Sequence, residues 1–272
     1  MSKIGLGIIT CNREDFYKNC IKSVSSCPLD EIVTVNDGEP YKTKPAAGEL
    51  IQHKENKGVG ISKNDALKHL MDRGCEHLFL MEDDIVVKDP VGVGYRVFAE
   101  YIRAAHRSGL WHLMFGYHGP ANKGVRGNNP VPRAGIQYDE DCEISFNEHC
   151  VGAFCYYHKG IIKNVGLMDE TFKNAWEHVE HSYRIVKMGL LPAYWWWPDI
   201  SGSCKYLDEQ ACSEVNSSIR PRSDWMENIQ TGAKYFYNKH GYEPTTVPDT
   251  SFDKVKGKLK FIKRTYSRAE SQ

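Results

Sequence analysis

The chain of 272 residues lacks the features that mark several large classes of protein. No apolar run approaches the roughly 20 residues needed to span a bilayer, and the stretch 4–9 is too short for the core of a secretory signal. Net charge is absent too, because 35 Lys and Arg residues balance 35 Asp and Glu residues. No overall field therefore favours a nucleic-acid or membrane partner. We expect a cytoplasmic protein that is not secreted, with a peripheral position at a membrane as the alternative.

Paired cysteine motifs are also missing. The nine cysteines are scattered, without CxxC or zinc-ligand spacing, and their number is odd. This pattern excludes a disulfide framework and a zinc-binding module, and it predicts small buried side chains in a reducing compartment. No internal repeat is present. The 41% hydrophobic and 26% charged residues are ordinary for a globular protein.

Apolar runs alternate with amphipathic segments through the first half of the chain. We predict strands at 4–9, 31–35, 50–53 and 77–81, helices at 13–24 and 60–73, and a further helix starting at Asp89-Pro90. Such alternation predicts an α/β fold with a mostly parallel, twisted sheet flanked by helices. Ligands of these sheets bind beyond the carboxyl ends of the strands. The segments 10–12, 36–38 and 82–84 are expected at that edge.

The second half of the chain is less regular. The pattern predicts strands at 111–115, 143–146 and 151–157, a helix at 175–188, and a mobile loop at 116–135 that is rich in Gly, Pro and Asn. The triplet Trp195-Trp196-Trp197 is expected to pack in the core, with stacking against a sugar or base as the alternative.

Three adjacent carboxylates, Glu82-Asp83-Asp84, follow the predicted strand at 77–81. Carboxylates this close repel one another unless solvent or a cation neutralises them. Their hard oxygen atoms suit Mg²⁺ or Mn²⁺, with the oxygens of a diphosphate completing the coordination shell. The triplet therefore predicts a site for a divalent metal and a phosphorylated ligand.

Several segments in a fixed order resemble the GT-A glycosyltransferases, and especially the inverting family 2. They are Gly7–Arg13, Val35–Gly38, Asn56–Asn64 and Phe79–Asp84, the last in place of the family's DxD motif. The resemblance implies a GT-A (Rossmann-like) fold and makes Asp84 the most direct ligand of Mn²⁺ or Mg²⁺. It also implies that the nucleotide is bound by Thr10, Asn12, Arg13, Asp37, Asn56, Lys63, Glu82 and Asp83.

The second half carries a further match, Val165–Phe172 followed by Trp176–Arg184. In family 2 an acid of a Glu-Asp pair there acts as the general base, but this sequence has His178 at the position of that Asp. Either His178 or Glu177 is then the base, or His178 binds the metal; imidazole is able to do both. His181 lies three residues beyond His178 on the predicted helix and is a further candidate metal ligand.

The resemblance implies transfer of a sugar from a nucleoside diphosphate, most simply a UDP-sugar, to an acceptor hydroxyl with inversion. It implies a nucleotide-sugar-binding half at 1–100, an acceptor and catalytic half at 101–215, and a helical extension at 216–272. A glycan, a lipid-linked sugar, a protein or a hydroxylated DNA base would serve as acceptor. The alternatives are a related nucleotidyltransferase and a non-catalytic protein that binds sugar nucleotides.

The C-terminal segment from Asp253 is strongly basic. It carries five lysines and two arginines, at positions 254, 256, 258, 260, 263, 264 and 268, against Asp253 and Glu270. We expect a solvated terminal helix, and the alternative is contact with an anionic partner, either a membrane surface or a nucleic acid.

Overall fold

A computed structural model describes residues 2–42, 47–124, 131–210 and 223–267. The strands are, in chain order, β1 Ile4–Thr10, β2 Glu31–Asn36, β3 Glu49–Gln52, β4 His77–Glu82, β5 Ile85–Val87, β6 His112–Met114, β7 Ala134–Asp139, β8 Cys142–Asn147, β9 Phe154–His158, β10 Trp197–Ile200 and β11 Leu207–Glu209. The helices are α1 Glu14–Val24, α2 Val59–Asp72, α3 Val97–Ser108, α4 Lys159–Val165, α5 Glu177–Lys187, α6 Trp225–His240 and α7 Phe252–Tyr266.

The main sheet has six strands in the order β3-β2-β1-β4-β9-β6. The first four are parallel, whereas β9 runs antiparallel to both β4 and β6. The predicted α/β class with a mostly parallel sheet is therefore confirmed. Strands β1 and β4 are almost wholly buried, which agrees with their continuous apolar sequences.

Helix α2 packs across β1, β2 and β4, and it brings its first turn to the carboxyl ends of these strands. Helix α1 packs against β1 and β5. A smaller antiparallel sheet, β10-β8-β7, contacts α3, and a two-stranded ribbon joins β11 to β5 directly after the acidic triplet. These connections hold the triplet between the main sheet and later parts of the chain.

The prediction of a helix starting at Asp89-Pro90 is wrong, since α3 begins only at Val97. Asp89 has a left-handed backbone with φ of 44°, and its carboxylate accepts a hydrogen bond from the backbone N–H of Val93. It therefore organises a turn before a short 3₁₀ segment at Gly94–Arg96. A good capping residue also stabilises turns, so the local sequence alone did not separate the two outcomes.

The basic tail is helical, as predicted, from Phe252 to Tyr266. Val255, Leu259 and Ile262 are buried on the face toward α3, while the lysines at 254, 256, 258 and 260 are exposed. Arg268 and Glu270 lie outside the described residues, as does the predicted boundary at 215/216. Contact of this helix with an anionic partner, and the division of the chain into three parts, remain predictions.

Two of the three consecutive tryptophans pack in the core, Trp196 with 4% and Trp197 with 1% of its surface exposed. The core packing favoured by the sequence is confirmed for these two side chains. In the part of the chain that the structure describes, no helix has the length and apolarity needed to cross a membrane.

Candidate active site

The carboxyl ends of three neighbouring strands bring their polar residues to one open cleft of about 450 Å³. Thr10 ends β1, Asp37 follows β2 and Glu82 ends β4, so the predicted convergence at this edge is observed. The cleft is lined by Ile9, Thr10, Cys11, Arg13, Asp37, Asn56, Val59, Ser62, Glu82 and Asn174. Five of the eight residues expected to bind the nucleotide are among them.

The side chains of the acidic triplet have separate partners. Asp83 is fully buried, accepts a 2.6 Å hydrogen bond from the Thr10 hydroxyl, and forms an ion pair with Arg13. The same guanidinium lies 3.3 Å from Asp84 Oδ2. Burial raises the pKa of Asp83 to about 7, although the charge of Arg13 opposes this effect. One arginine therefore neutralises only part of the charge on this pair.

The predicted nucleotide-binding residue Lys63 joins the two sides of the site. Its ammonium group, on the first turns of α2, is 1% exposed and lies 2.7 Å from Glu82 Oε1 and 3.3 Å from Glu177 Oε1. It also donates a 3.1 Å hydrogen bond to the carbonyl of Gly152. All three ammonium protons are thus directed at protein oxygens, so in this structure Lys63 fixes two carboxylates relative to each other.

Glu177 and His178 begin α5 and form a carboxylate–imidazole pair. His178 Nδ1 lies 2.9 Å from Glu177 Oε1, and the imidazole remains 24% exposed while the carboxylate is 4% exposed. Burial alone would raise the pKa of Glu177, but the charges of His178 and Lys63 hold it below its ordinary value. The carboxylate therefore stays ionised and orients the imidazole, which is the more exposed member of the pair.

Gly152 makes room for this arrangement. A Cβ atom at this position would lie 2.6 Å from Cγ of His178, so a side chain at 152 would displace the imidazole. The carbonyl of Gly152 is also the one that receives Lys63. Nothing in the local sequence distinguishes this glycine from the other 22, because its role depends on residues far along the chain.

His181 lies in a different environment from His178. It is fully buried, its Nε2 donates a 2.9 Å hydrogen bond to the carbonyl of Gly166, and burial lowers its pKa to about 4. A neutral, buried imidazole with one nitrogen committed to the backbone is a core residue. The helical spacing that suggested His181 as a metal ligand does not bring it to the acidic triplet.

Asp37 is held by the segment that precedes α2. Its carboxylate accepts hydrogen bonds from the backbone N–H groups of Lys57 and Gly58 and from the amide of Asn56, each at 2.8 Å. His53 Nδ1 donates a fourth at 2.6 Å. Asp37 and Asn56 are therefore hydrogen-bonded to each other in the wall of the cleft. Direct contact of Asp37 with a nucleotide base remains a prediction.

Asn12 shapes the opposite loop from a left-handed conformation, with φ of 57°. Its amide oxygen accepts a 2.8 Å hydrogen bond from the backbone N–H of Glu39. A Cβ atom on Gly38 would lie 2.3 Å from that amide oxygen, so the turn after β2 requires glycine at this position. Asn12 thus positions two loops at the edge of the cleft.

Among the described residues, no three His, Cys, Asp or Glu side chains are grouped as a complete set of metal ligands. Asp84, His178 and His181 are therefore not assembled as one site. The charges beside the cleft still suit a divalent cation, because Arg13 and Lys63 are each shared between two of the four carboxylates Glu82, Asp83, Asp84 and Glu177. Mg²⁺ sites commonly use one or two carboxylates and complete the shell with phosphate oxygens.

Residues 6–91 match the model of the family described as glycosyl transferase family 2. The chain has the GT-A fold. The matched segment contains Asp37, Lys63 and the acidic triplet, but it ends before Glu177.

Two solved GT-A structures illustrate the likeness. TarS of S. aureus is 14% identical with a TM-score of 0.53, and the alignment covers 89% of this chain and 44% of TarS. GalNAc-T7, in a complex with UDP, GalNAc and Mn²⁺, is 11% identical with a TM-score of 0.57, and the alignment covers 96% of this chain and 54% of that one. This chain thus spans about half the length of either protein.

A shorter form of TarS, residues 1–349 in complex with UDP-GlcNAc, is also similar. It is 14% identical with a TM-score of 0.53, and the alignment covers 96% of this chain and 71% of that one. No curated protein matches this chain at the sequence level. At such low identities the likeness establishes the GT-A fold alone. The chemistry has to be inferred from the residues of the cleft.

Proposed function

We propose that this protein transfers a sugar from a nucleoside diphosphate sugar, most simply a UDP-sugar, to an acceptor hydroxyl with inversion and with a divalent metal. The observation that carries the proposal is the link between two acidic groups at the edge of the cleft. Glu82 of the triplet lines the cleft, and the buried ammonium group of Lys63 connects it to Glu177, which contacts His178. The UDP and UDP-GlcNAc complexes of similar structures support the choice of donor.

Asp84 is the residue proposed to hold Mn²⁺ or Mg²⁺. The resemblance to family 2 makes Asp84 the most direct ligand, and in the structure Arg13 lies 3.3 Å from its Oδ2. Asp83 is hydrogen-bonded to Thr10 and paired with the same arginine, while Glu82 is paired with Lys63. A bound divalent cation supplies positive charge to the departing diphosphate. Arg13 lies beside the same carboxylates, so it is positioned to contribute to the binding of the phosphates. The Mn²⁺ in the GalNAc-T7 complex supports this proposal.

His178 is proposed as the general base. The low pKa of Glu177 makes its carboxylate a weak proton acceptor. Its hydrogen bond to Nδ1 orients the imidazole and makes Nε2 the nitrogen that accepts the proton of the acceptor hydroxyl. A base on the side of the cleft opposite the leaving group deprotonates the acceptor hydroxyl as it attacks the anomeric carbon. One in-line displacement of this kind inverts the anomeric configuration.

A thermal-shift panel tests the donor. UDP-, GDP- and CDP-sugars are each added with and without Mn²⁺, and the melting temperature is measured. We expect UDP-sugars with Mn²⁺ to raise it most, since a ligand at 100 times its Kd stabilises the folded state by about 2.7 kcal/mol. No shift with any nucleotide sugar would contradict the proposed function, and a larger shift with GDP- or CDP-sugars would contradict the choice of uridine.

A further inference from the structure

Asn174 lies between the helix that carries Lys63 and the helix that carries His178. Its side chain lines the cleft together with Thr10, Asp37 and Asn56, and only 6% of the residue is exposed. Its amide nitrogen Nδ2 is buried and has no hydrogen-bond partner within the described ranges of the chain. None of the sequence motifs points to this residue.

The orientation of this amide is fixed by the first turn of α2. The backbone N–H of Val59 donates to Oδ1 of Asn174 at 3.4 Å. Turning the amide over would place its NH₂ group against that N–H, so two donors would face each other. The oxygen therefore belongs on the side of Val59, and the two N–H donors of Nδ2 remain for a different partner.

A buried donor without an acceptor costs free energy, and an incoming oxygen atom recovers it. The carboxylate oxygens of Asp37, on the same wall, are already occupied, because they accept four hydrogen bonds. An uncharged amide is a suitable donor to a carbonyl or hydroxyl oxygen. These are the oxygens of a nucleobase, a ribose or a sugar.

We propose that Nδ2 of Asn174 donates a hydrogen bond to a carbonyl or hydroxyl oxygen of the bound nucleoside diphosphate sugar. This inference rests on the proposed function and adds a residue that determines which donor is bound. The residue acts by direct contact with the ligand, and the loop before α5 positions it.

The isosteric variant Asn174→Asp tests this assignment. It keeps an oxygen for the N–H of Val59 and replaces the two donors with an acceptor that repels a ligand oxygen. Isothermal titration calorimetry with UDP and with UDP-GlcNAc, each with Mn²⁺, is expected to show at least a tenfold loss of affinity. This loss corresponds to about 1.4 kcal/mol of binding free energy. Asn228→Asp is the matched control, because the Asn228 amide nitrogen on α6 is also buried without a partner but lies outside the cleft lining.

The two ligands separate the sources of the acceptor oxygen. A loss for both UDP and UDP-GlcNAc supports an oxygen of the nucleotide, and a loss for UDP-GlcNAc alone supports an oxygen of the sugar. Unchanged affinity for both ligands in a folded Asn174→Asp protein would overturn the inference and leave the proposed function intact. Wild-type protein that binds neither ligand would contradict the proposed function itself. Asn174→Ala, which removes the donors without adding charge, replaces the Asp variant if the latter does not fold.

Discussion

Replacing Asp84 with alanine is expected to abolish sugar transfer and to remove the part of UDP binding that depends on Mn²⁺. Asp84 is the carboxylate of the triplet that is proposed to hold the metal, and its loss leaves the diphosphate without that countercharge. We expect turnover to fall by at least about 1000-fold, in line with the several kcal/mol that a metal contributes to a developing charge. Arg13 keeps Asp83 as its partner, so the fold is expected to survive.

Turnover of a UDP-sugar and calorimetric titration of UDP with and without Mn²⁺ measure this effect. Asp208→Ala is a suitable control, because Asp208 lies on the ribbon strand β11 next to the site but its side chain is 50% exposed and faces Lys88. Full activity of the Asp84→Ala protein, or full activity of the wild type in excess chelator, would remove the metal from the mechanism.

The second large effect is expected at His178. His178→Ala should lower turnover by about two to four orders of magnitude, which is typical for loss of a positioned base. The affinity for UDP and Mn²⁺ should change little, because this imidazole contacts Glu177 and not the triplet. His178→Asp restores the residue expected from the family and should retain part of the activity.

Measuring turnover and Mn²⁺ affinity together separates the roles left open by the sequence. His149→Ala, at an exposed histidine whose ring lies edge-on to Trp195, serves as the control. A His178→Ala protein that loses Mn²⁺ affinity together with turnover would identify a metal ligand and make Glu177 the better candidate for the base. Normal turnover and normal Mn²⁺ affinity would show that residues other than His178 act as the general base and bind the metal.

The sequence predicted the parts of the fold that depend on neighbouring residues. Continuous apolar runs predicted β1 and β4, and the polar residues after these strands predicted the edge at which the cleft lies. Periodicity predicted α2 and α5 to within two residues. The antiparallel direction of β9 was not predicted, because strand direction depends on contacts between residues far apart in the chain.

The predicted site residues came close together, but several of their contacts could not be derived from motifs. Lys63 was expected to bind the nucleotide, and in the structure it connects Glu82 to Glu177, which lies 114 residues from Lys63 in the chain. His181 shares the helix of His178 but turns toward Gly166. Asn174 belongs to none of the sequence motifs. Its burial and its hydrogen bond with Val59 show which of its atoms lacks a partner, and both depend on the folded structure. Such pairings are fixed by tertiary packing, which periodicity and spacing do not record.

The most direct test of the central claim is to incubate the purified wild-type protein with UDP-sugars and Mn²⁺, without acceptor, and to identify the products by mass spectrometry. A glycosyltransferase is expected to hydrolyse its donor slowly, so UDP and free sugar should accumulate and should be absent with chelator or with Asp84→Ala. Release of UMP and a sugar phosphate would indicate cleavage of the diphosphate instead. That result, or binding of UDP-sugars with no products under any of these conditions, would contradict the account.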